Sequence, residues 1–521
     1  MPESHAARGP LVPPASSQGD TLSSLLAAGP GAATAIRVPD GPELSYDDLR
    51  RLVAQTANAL AAFGLRREDR VATVLPTALD AVVAFLGVAT VATAAPLNPA
   101  YPESEFRFYL ADVEAKALIV PPGGGAAARQ ALPTGVLLLE LAIGADGTVS
   151  LTGDAPRSPG RTADAPRPDD VALVLHSSGT TGRPKQIPIR HRNITASAAT
   201  IAATYGLTPD DVTLAVMPLF HVHGLVASVL ATLRSGGAVV LPAQGFNALR
   251  FLSQVTTHGV SWYTMVPTMH QMMLTRCRGG ERPAGTERLR FVRSCSAAMP
   301  RGTYDQLEST LQVPVLEAFG MTEASHQAAS NPLPPRHRVA GTVGLATGVD
   351  IGIMDDAGRL LPPETPGELV LRGPSVVDGY YNNPAATAAA FVDGWFRTGD
   401  NAVVDATGYL RLVGRIKEMI NRGGEKIWPS EIDQVLGQHP AVKEAVAFGV
   451  PHPTWGEEVA AAVVTQPDAV VSEAELQRYC RERLAGFKTP TRIHIVETIP
   501  RTATGKIQRR AIAQMLSVSG G

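Results

Sequence analysis

Short apolar runs rich in β-branched residues alternate with Ala- and Leu-rich segments of helical periodicity over most of the chain. Such runs predict buried strands, and they occupy residues 71–75, 117–120, 171–175, 239–242, 262–266 and 313–318. Strands that alternate with helices form largely parallel sheets. The pattern therefore predicts an α/β fold, in which a large N-terminal domain of several subdomains contains parallel-rich sheets.

Two long uncharged stretches, residues 81–102 and 212–233, have the length of a membrane span. Prolines interrupt the first stretch, and Pro218, His221 and His223 interrupt the second. These residues are poorly suited to the apolar core of a bilayer. We therefore predict a buried helix followed by a strand in each stretch.

The pattern changes towards the C-terminus. Residues 402–405 and 409–413 flank an Ala-Thr-Gly turn and predict a β-hairpin. A charged segment follows, and the rest of the chain carries its own strand and helix signals at residues 431–436, 442–450, 460–465, 473–484 and 492–496. We therefore predict a domain boundary at Lys417, between an N-terminal domain of residues 21–416 and a small, mobile α+β domain of residues 417–521.

Two segments carry no regular hydrophobic pattern. Residues 1–20 contain four prolines and no apolar core, so we expect a flexible arm and not a signal peptide. Residues 144–170 are rich in Gly, Pro, Asp and Arg, which predicts a surface excursion of low order.

Composition excludes several classes of protein. The chain has 521 residues, with 46 Lys and Arg against 48 Asp and Glu, and a formal net charge of -2. This balance favours neither nucleic acid nor a membrane as partner, so we expect a small-molecule partner and a monomer or homodimer. Cys277, Cys295 and Cys480 are far apart and odd in number, which is typical of a reduced, cytoplasmic protein without a disulfide framework.

A loop of small and hydroxyl residues directly follows the apolar run at 171–175. It reads HSSGTTGRPK over residues 176–185. Glycines let a backbone approach an anion closely, hydroxyl groups donate hydrogen bonds and a lysine adds positive charge. The loop therefore predicts a phosphate-binding site formed by Ser177, Ser178, Gly179, Thr180, Thr181 and Lys185. The Walker pattern is absent, and a polar surface loop is the alternative interpretation.

Five further segments follow in order, at residues 218–224, 317–324, 394–400, 414–425 and 500–510. They read PLFHVHG, EAFGMTEA, GWFRTGD, GRIKEMINRGGE and PRTATGKIQRR. With the phosphate loop, they resemble the signature segments of the adenylate-forming superfamily, which includes acyl-CoA synthetases, firefly luciferase and the adenylation domains of peptide synthetases. The resemblance covers the chain from Thr21 to Leu516. It implies that an acid is activated by Mg-ATP as its adenylate and is then captured by a thiol.

The resemblance assigns a nucleotide site. Thr322 is expected on the α-phosphate and Glu323 on Mg²⁺, a cation that prefers hard carboxylate oxygens. Asp400 is expected on the ribose hydroxyls with Arg415 beside it, although an aspartate after Thr-Gly is also a common turn residue. The remaining residues expected to bind the nucleotide are Glu317, Ala318, Phe319 and Gly320.

The resemblance also gives roles to the small domain. Lys506 is expected to bridge the substrate carboxylate and the α-phosphate, where negative charge develops as pyrophosphate leaves. A solvated basic patch is the alternative interpretation for this lysine. Lys417 matches the hinge about which the small domain turns, and Gly423 and Gly424 match glycines that line a pantetheine channel. CoA is therefore the expected acceptor, beside ATP and Mg²⁺.

The acid pocket is expected to be polar. His221, His223, Ser296 and His326 stand where a fatty-acid tunnel would have Gly, Ala or aromatic residues. Together they can bind a second anionic group, whereas each histidine taken singly is equally compatible with a hydrogen-bonded core residue. Four segments, SCSA at residues 294–297, MTEASH at 321–326, SNPLP at 330–334 and NRGGEKI at 421–427, resemble the oxalate–CoA ligase branch. In that branch the residues that match His221, Ser296 and His326 are expected to hold the distal carboxylate. His221 is therefore expected among the catalytic residues, with Lys506, Thr322 and Glu323.

Two residues depart from the family pattern. Gln186 stands where many relatives have glycine, and Trp428 stands where a small residue is commoner, so that Trp428 is expected to affect the shape of the thiol channel.

The leading hypothesis is an AMP-forming CoA ligase for a small polar acid, with oxalate favoured. One alternative keeps adenylation but activates nitrite against an aryl amine, as ATP-dependent diazotases do, or loads a carrier protein. Another is a non-catalytic nucleotide-binding relative. The joint retention of five functional residues argues against this last alternative: Lys185, Glu323, Asp400, Arg415 and Lys506.

Overall fold

The structure, a computed structural model, describes residues 11–12, 20–76, 78–144, 147–155, 158, 160–177, 184–277, 282–502 and 507–518. Most of the expected flexible arm lies outside these residues. Within it, the backbone N–H of Leu11 donates to the carbonyl of Ala346 at 2.8 Å, and the carbonyl of Val12 accepts from Gly348 at 2.8 Å. These two residues are therefore tied to the large domain.

The described chain alternates helices and strands. The helices are α1 Leu22–Leu26, α2 Tyr46–Ala62, α3 Ala78–Val91, α4 Glu103–Asp112, α5 Ala126–Gln130, α6 His191–Thr204, α7 Ala231–Arg234, α8 Phe251–Thr257, α9 Pro267–Leu274, α10 Arg301–Leu311, α11 Pro384–Ala390, α12 Pro429–Gly437, α13 Glu473–Arg481 and α14 Arg509–Val518. The strands are β1 Thr34–Arg37, β2 Glu43–Ser45, β3 Arg70–Thr73, β4 Thr93–Pro96, β5 Ala117–Val120, β6 Leu137–Ile143, β7 Val149–Gly153, β8 Val171–His176, β9 Gln186–Arg190, β10 Val212–Leu214, β11 Ala238–Val240, β12 Trp262–Met265, β13 Phe291–Ser294, β14 Val315–Met321, β15 His326–Ser330, β16 Leu345–Ala346, β17 Asp350–Met354, β18 Gly367–Arg372, β19 Phe391–Val392, β20 Trp395–Val404, β21 Leu410–Arg415, β22 Ile420–Arg422, β23 Glu425–Ile427, β24 Val442–His452, β25 Gly456–Thr465 and β26 Arg492–Ile495.

Three sheets lie before the predicted domain boundary. A seven-stranded sheet has the order β7-β6-β5-β3-β4-β8-β9 and is parallel except at its edge strands β7 and β9. A nine-stranded sheet has the order β16-β15-β14-β13-β12-β10-β11-β1-β2 and is parallel from β14 to β1. A five-stranded antiparallel sheet contains β17 to β21. The expectation of an α/β fold with parallel-rich sheets is confirmed.

A second five-stranded sheet lies in the C-terminal part of the chain. Its order is β23-β22-β25-β24, with β26 parallel to β25. Helices α12 and α13 contribute Ile432, Leu436 and Leu476 to its hydrophobic core. This small sheet has its own core, and the boundary placed at Lys417 stays a prediction.

The main core of the large domain lies around α2 and α3. Ser45 and Asp48 form a capping box at the start of α2, in which each backbone N–H donates to the other side chain at 3.1 Å. Helix α3 packs against both α2 and the seven-stranded sheet. A helix enclosed in this way needs apolar residues on all sides, which explains the uncharged stretch near residue 81.

The structure corrects two expectations and confirms two others. In residues 212–233 the strand β10 comes before the helix, because the apolar start of the stretch is buried as a central strand between β11 and β12. In residues 144–170 there is a strand, β7, which pairs with β6. Only Leu151 of β7 is buried, so this edge strand has almost no hydrophobic signature. The helix and strand of residues 81–102, as α3 and β4, and the β20–β21 hairpin are as predicted.

No helix among the described residues is both long and apolar enough to cross a bilayer. Cys277, Cys295 and Cys480 are all free thiols.

Candidate active site

The residues expected at the acid lie at the carboxyl ends of adjacent strands in the nine-stranded sheet. Ser296 follows β13, a short 3₁₀ turn after β14 carries Thr322 and Glu323, and His326 begins β15. A π-helix that starts at His223 packs against β12 and β15. Ligands of open α/β sheets bind at this edge, so the topology places a binding site here.

His223 is the centre of this polar cluster and is fully buried. Its Nδ1 lies 3.1 Å from the hydroxyl oxygen of Ser296, and its Nε2 lies 2.7 Å from that of Thr264. The ring centroids of His223 and His326 are 5.1 Å apart, and the backbone N–H of His223 donates to Nδ1 of His221 at 3.2 Å. The structure thus brings the four expected residues together, and His223 orients Ser296.

A buried arginine, Arg293 in β13, lies directly behind this cluster. Its side chain is 0% exposed. Its N–H groups face the hydroxyls of Tyr205 (2.7 Å) and Thr264 (2.9 Å), the side-chain oxygen of Gln327 (3.1 Å), Nε2 of His223 (3.5 Å) and Nδ1 of His326 (3.5 Å). The thiol of Cys295 is a further hydrogen-bond partner. Among the described residues, no carboxylate forms an ion pair with Arg293. A buried cation without a counter-charge is costly, so it marks a candidate anion site.

Backbone strain is concentrated at the same place. Ser296 has φ 73° and His326 has φ 121°, values that non-glycine residues rarely adopt. Each such conformation costs about 1–3 kcal/mol and persists where the surrounding structure requires it. A Cβ on Gly320 would lie 2.1 Å from the carbonyl oxygen of His326, so only glycine allows the β14–β15 hairpin to hold His326 in this position.

The described ends of the phosphate loop are joined to each other. The backbone N–H of Lys185 donates to the hydroxyl of Ser177 at 3.0 Å, and that of Ser177 donates to the carbonyl of Lys185 at 2.8 Å. The other expected residues of this loop lie outside the described residues: Ser178, Gly179, Thr180 and Thr181.

Lys185 and Glu323 meet at Tyr380, which the sequence argument missed. The Nζ atom of Lys185 lies 4.4 Å from the centre of the Tyr380 ring, and the Tyr380 hydroxyl donates to Glu323 at 3.2 Å. Burial, with a smaller contribution from Glu323, raises the pKa of Tyr380, which therefore stays a neutral donor. A cation and a carboxylate thus face one space, an arrangement suited to a phosphate group with its metal.

Mg²⁺ fits this arrangement. Nowhere in the described chain do three or more His, Cys, Asp or Glu side chains form a metal site by themselves. Mg²⁺ is usually bound by one or two carboxylates together with substrate phosphates. Glu323, which is 9% exposed, can supply that carboxylate beside Lys185.

Two other expected nucleotide residues are carboxylates that are nearly buried. The side chain of Glu317 accepts the backbone N–H of Gly341 at 2.9 Å, and burial raises its pKa from 4.5 to about 7. The carboxylate of Asp400 in β20 pairs with Arg415 in β21 at 2.7 Å. These two strands are antiparallel neighbours with Asp400 opposite Arg415, so the sheet register places the expected pair side by side.

The expected residues of the small domain are described only in part. Lys417 lies in the 3₁₀ turn after β21, and Lys506 lies outside the described residues. A Cβ on Gly423 would lie 2.7 Å from the ring of Trp455, whereas no described atom lies within 4 Å of a Cβ on Gly424. Gly423 therefore leaves room for a tryptophan, and Gly424 faces open space.

The two departures from the family pattern have packing partners. The side chain of Gln186 donates to the carbonyl of Asp112 at 2.6 Å and so joins β9 to α4. A Cβ on Gly414 would lie 3.0 Å from the ring of Trp428, so this ring covers the end of β21.

Three residues of the site were not identified from the sequence: Thr264, Arg293 and Tyr380. Arg293 is one of three arginines within residues 288–293, so the sequence does not distinguish it from Arg288 and Arg290, which are exposed. Thr264 and Tyr380 carry no signal in the sequence either.

The chain is similar to known proteins over most of its length. The family model described as AMP-binding enzyme matches residues 26–381, and the model of the AMP-binding enzyme C-terminal domain matches residues 431–506. The probable CoA ligase CCL9 of Humulus lupulus is 45% identical over 92% of this chain and 93% of its own length. The oxalate–CoA ligase of Arabidopsis thaliana is 43% identical over 95% of this chain and 98% of its own. The crystal structure of ATP-bound MatB from Rhodopseudomonas palustris superposes with a TM-score of 0.86, at 30% identity over 95% of this chain and 99% of MatB.

Proposed function

The chain belongs to the AMP-binding enzyme family and is an AMP-forming acid–CoA ligase, and we propose that the acid it activates is oxalate. Enzymes of this class use ATP, Mg²⁺ and CoA. The observation that carries the choice of acid is the cluster of Ser296, His221 and His326 in front of the unpaired cation Arg293. A pocket of hydrogen-bond donors backed by a positive charge suits an acid with a second carboxylate.

The polarity of the buried side chains in this pocket also supports a small, charged acid. His223 and His326 are buried side chains with ring centroids 5.1 Å apart, and His223 is hydrogen-bonded on both ring nitrogens. An alkyl chain in this place would leave buried donors without acceptors, which is costly. A two-carbon dianion instead provides four acceptor oxygens in a short length.

The reaction has two steps. An oxygen of one oxalate carboxylate attacks the α-phosphorus of ATP, the bond to the β-phosphate oxygen breaks, and pyrophosphate leaves. The thiolate of CoA then attacks the carbonyl of the oxalyl-adenylate, and AMP leaves with the bonding electron pair. No covalent bond to the protein forms, so the protein acts by positioning and by stabilising charge.

We assign roles on this basis. Thr322 and Lys506 contact the α-phosphate, Lys185 and the phosphate loop hold the outer phosphates, and Glu323 is the protein ligand of Mg²⁺. When bound, Mg²⁺ neutralises phosphate charge. The adenine and ribose lie along Glu317–Gly320, Asp400 and Arg415, and His221, Ser296 and His326 bind the distal carboxylate.

The small domain is assigned to the second step. It turns at Lys417, and the pantetheine arm passes Gly424, where the structure leaves space open. Gly423 is needed under Trp455, so Gly423→Ala should disturb this segment by packing and not by blocking the arm. A cytoplasmic location is part of the proposal, and cell fractionation tests it.

A mass-spectrometric product assay tests the proposal. The purified protein is given ATP and Mg²⁺ with oxalate, malonate, a medium-chain fatty acid, or nitrite plus an aminobenzoate, each with and without CoA. Oxalyl-CoA with AMP and pyrophosphate, formed with the highest kcat/KM of the panel, is the expected result. A higher kcat/KM for another acid would refute oxalate, and AMP release with nitrite in the absence of CoA would refute the thiol acceptor.

A further inference from the structure

Arg293 is positioned to orient two of the three residues expected to bind the distal carboxylate, Ser296 and His326. It touches Thr264, His223 and His326 directly, and through them it reaches Ser296. We propose that Arg293 is a specificity-determining residue: its positive charge and the proton order that it imposes select acids with a second anionic group. This inference rests on the proposed function for the location of the acid.

The first step of the argument is that arginine has only donors. Its five N–H groups cannot accept a hydrogen bond, so each partner must accept at the atom that faces Arg293. The hydroxyl of Thr264 therefore accepts from Arg293 at 2.9 Å. Its own proton is then available for Nε2 of His223, 2.7 Å away.

The second step follows the hydrogen bonds that run from Arg293 through Thr264 and His223 to Ser296, which we call the first branch. Nε2 of His223 also faces an N–H of Arg293 at 3.5 Å and must accept from it, so the ring proton lies on Nδ1. Nδ1 then donates to the hydroxyl oxygen of Ser296 at 3.1 Å. The hydroxyl hydrogen of Ser296 must point elsewhere, so the branch from Arg293 ends in a donor at the strained residue that follows β13.

The second branch is the single contact between Arg293 and His326. Nδ1 of His326 faces Arg293 at 3.5 Å and accepts, so the proton of His326 lies on Nε2. His221 has the same tautomer for another reason, since its Nδ1 accepts the backbone N–H of His223 at 3.2 Å. The proton positions of His223 and His326 are therefore set through Arg293, and that of His221 through the backbone, before the acid binds.

The other contacts of Arg293 hold it in place without neutralising it. Nε donates to the hydroxyl of Tyr205 at 2.7 Å, and the side-chain oxygen of Gln327 accepts at 3.1 Å. Gln327 also accepts from Tyr205 at 2.8 Å, and its amide donates to Thr204 and Thr347 at 3.3 Å. These partners are hydroxyl and amide groups, and the thiol of Cys295 is a further partner, so no carboxylate among the described residues opposes the positive charge of Arg293.

The experiment compares dianions with amides of nearly equal size. Adenylation is measured by ATP–pyrophosphate exchange for the pairs oxalate and oxamate, and malonate and malonamate. The readout is the ratio of kcat/KM for the dianion to that for its amide, in whichever pair the wild-type enzyme uses better. The KM for ATP is measured in parallel, because a merely structural defect would raise it as well.

Two variants and one matched control decide the question. Arg293→Met removes the charge and is expected to lower the ratio about 10- to 100-fold, with the KM for ATP unchanged. Thr264→Val keeps the charge but cuts the branch to Ser296, and is expected to lower the ratio about 3- to 10-fold. Arg290→Met is the control, since Arg290 directly precedes the same strand but pairs with Asp211 at 2.6 Å, and it should leave the ratio unchanged.

Each outcome is decisive. An unchanged ratio in Arg293→Met, or in Thr264→Val if Arg293→Met does not fold, overturns the inference. So does a wild-type enzyme that uses the amides as well as the dianions. If malonate is preferred to oxalate while both variants lower the malonate ratio, the identity of the acid is refuted and the role of Arg293 stands.

Discussion

Glu317→Gln isolates the effect of one buried carboxyl on stability. Glu317 is 8% exposed, and burial raises its pKa from 4.5 to about 7, although the backbone N–H of Gly341 donates to it. In the unfolded chain this carboxyl ionises at its ordinary pKa, whereas the folded protein keeps the proton until near neutral pH. A glutamine side chain has nearly the shape of protonated glutamate and stays uncharged at every pH. The Glu317→Gln variant therefore differs from wild type mainly in that residue 317 cannot ionise.

The sign and size of the effect follow from proton linkage. Between pH 4.5 and about 7 the folded state binds more protons at Glu317 than the unfolded state, so its contribution to stability falls as the pH rises. Each unit of pKa difference is worth about 1.4 kcal/mol, which gives a total loss of about 3 kcal/mol above pH 7. Relative to wild type, Glu317→Gln should therefore gain about 3 kcal/mol between pH 4.5 and pH 8.

Urea denaturation at pH 5, 6, 7 and 8 measures this difference. Because the chain has more than one core, the large-domain transition is followed by itself, and only differences between variants are compared. Glu68→Gln, at an exposed position, controls for the loss of a carboxylate. Parallel stability curves for wild type and Glu317→Gln would refute the reasoning, because they would mean that burial does not hold the proton on Glu317.

Three other substitutions test the catalytic assignments and the small domain. Lys506→Ala should abolish adenylation but spare thioester formation from preformed oxalyl-adenylate, since the small domain is proposed to bring Lys506 to the α-phosphate for the first step and to withdraw it for the second. Loss of both steps in separate half-reaction assays would contradict the model of two domain arrangements. His326→Ala should raise the KM for a dianionic acid about tenfold or more, and the KM for a monoanionic acid far less, because a hydrogen bond to a charged group is lost. Equal increases in both KM values in steady-state kinetics would show that His326 does not bind the second anionic group. Asp433→Ala should destabilise the small domain by about 3 kcal/mol, because it breaks a largely buried pair with Arg509. Among the described residues, Arg509 then keeps Glu418 as its anionic partner at 2.9 Å. A denaturation midpoint like that of wild type would show that Glu418 suffices.

The fold could be predicted from the sequence wherever elements are buried. Strands β5 and β12 and helix α3 coincide closely with apolar runs, because both faces of a covered parallel sheet must be apolar. The prediction was wrong where this rule does not apply. Strand β7 is an exposed edge with one buried residue, and residues 212–233 are uncharged throughout, so periodicity could not give the order of strand and helix.

Membership in the adenylate-forming superfamily could also be predicted, because each of its signature segments is a short run of consecutive residues that can be read directly from the sequence. The comparisons confirm that assignment. The resemblance to the oxalate–CoA ligase branch assigned His221, Ser296 and His326 to binding of the acid. The structure brings these residues together through His223. The role of each residue stays a proposal.

The sequence by itself determined the fold class, the family and the chemistry of activation, because hydrophobic periodicity and local motifs are properties of neighbouring residues. Only the tertiary structure decided how the pocket is charged and how its protons are ordered. Arg293 meets Tyr205, Thr264 and His326 across four segments that are distant in the chain, and Tyr380 meets Lys185 in the same way. Whether a charged side chain is buried without a counter-charge depends on all the segments that pack around it, so a local pattern of residues cannot predict it.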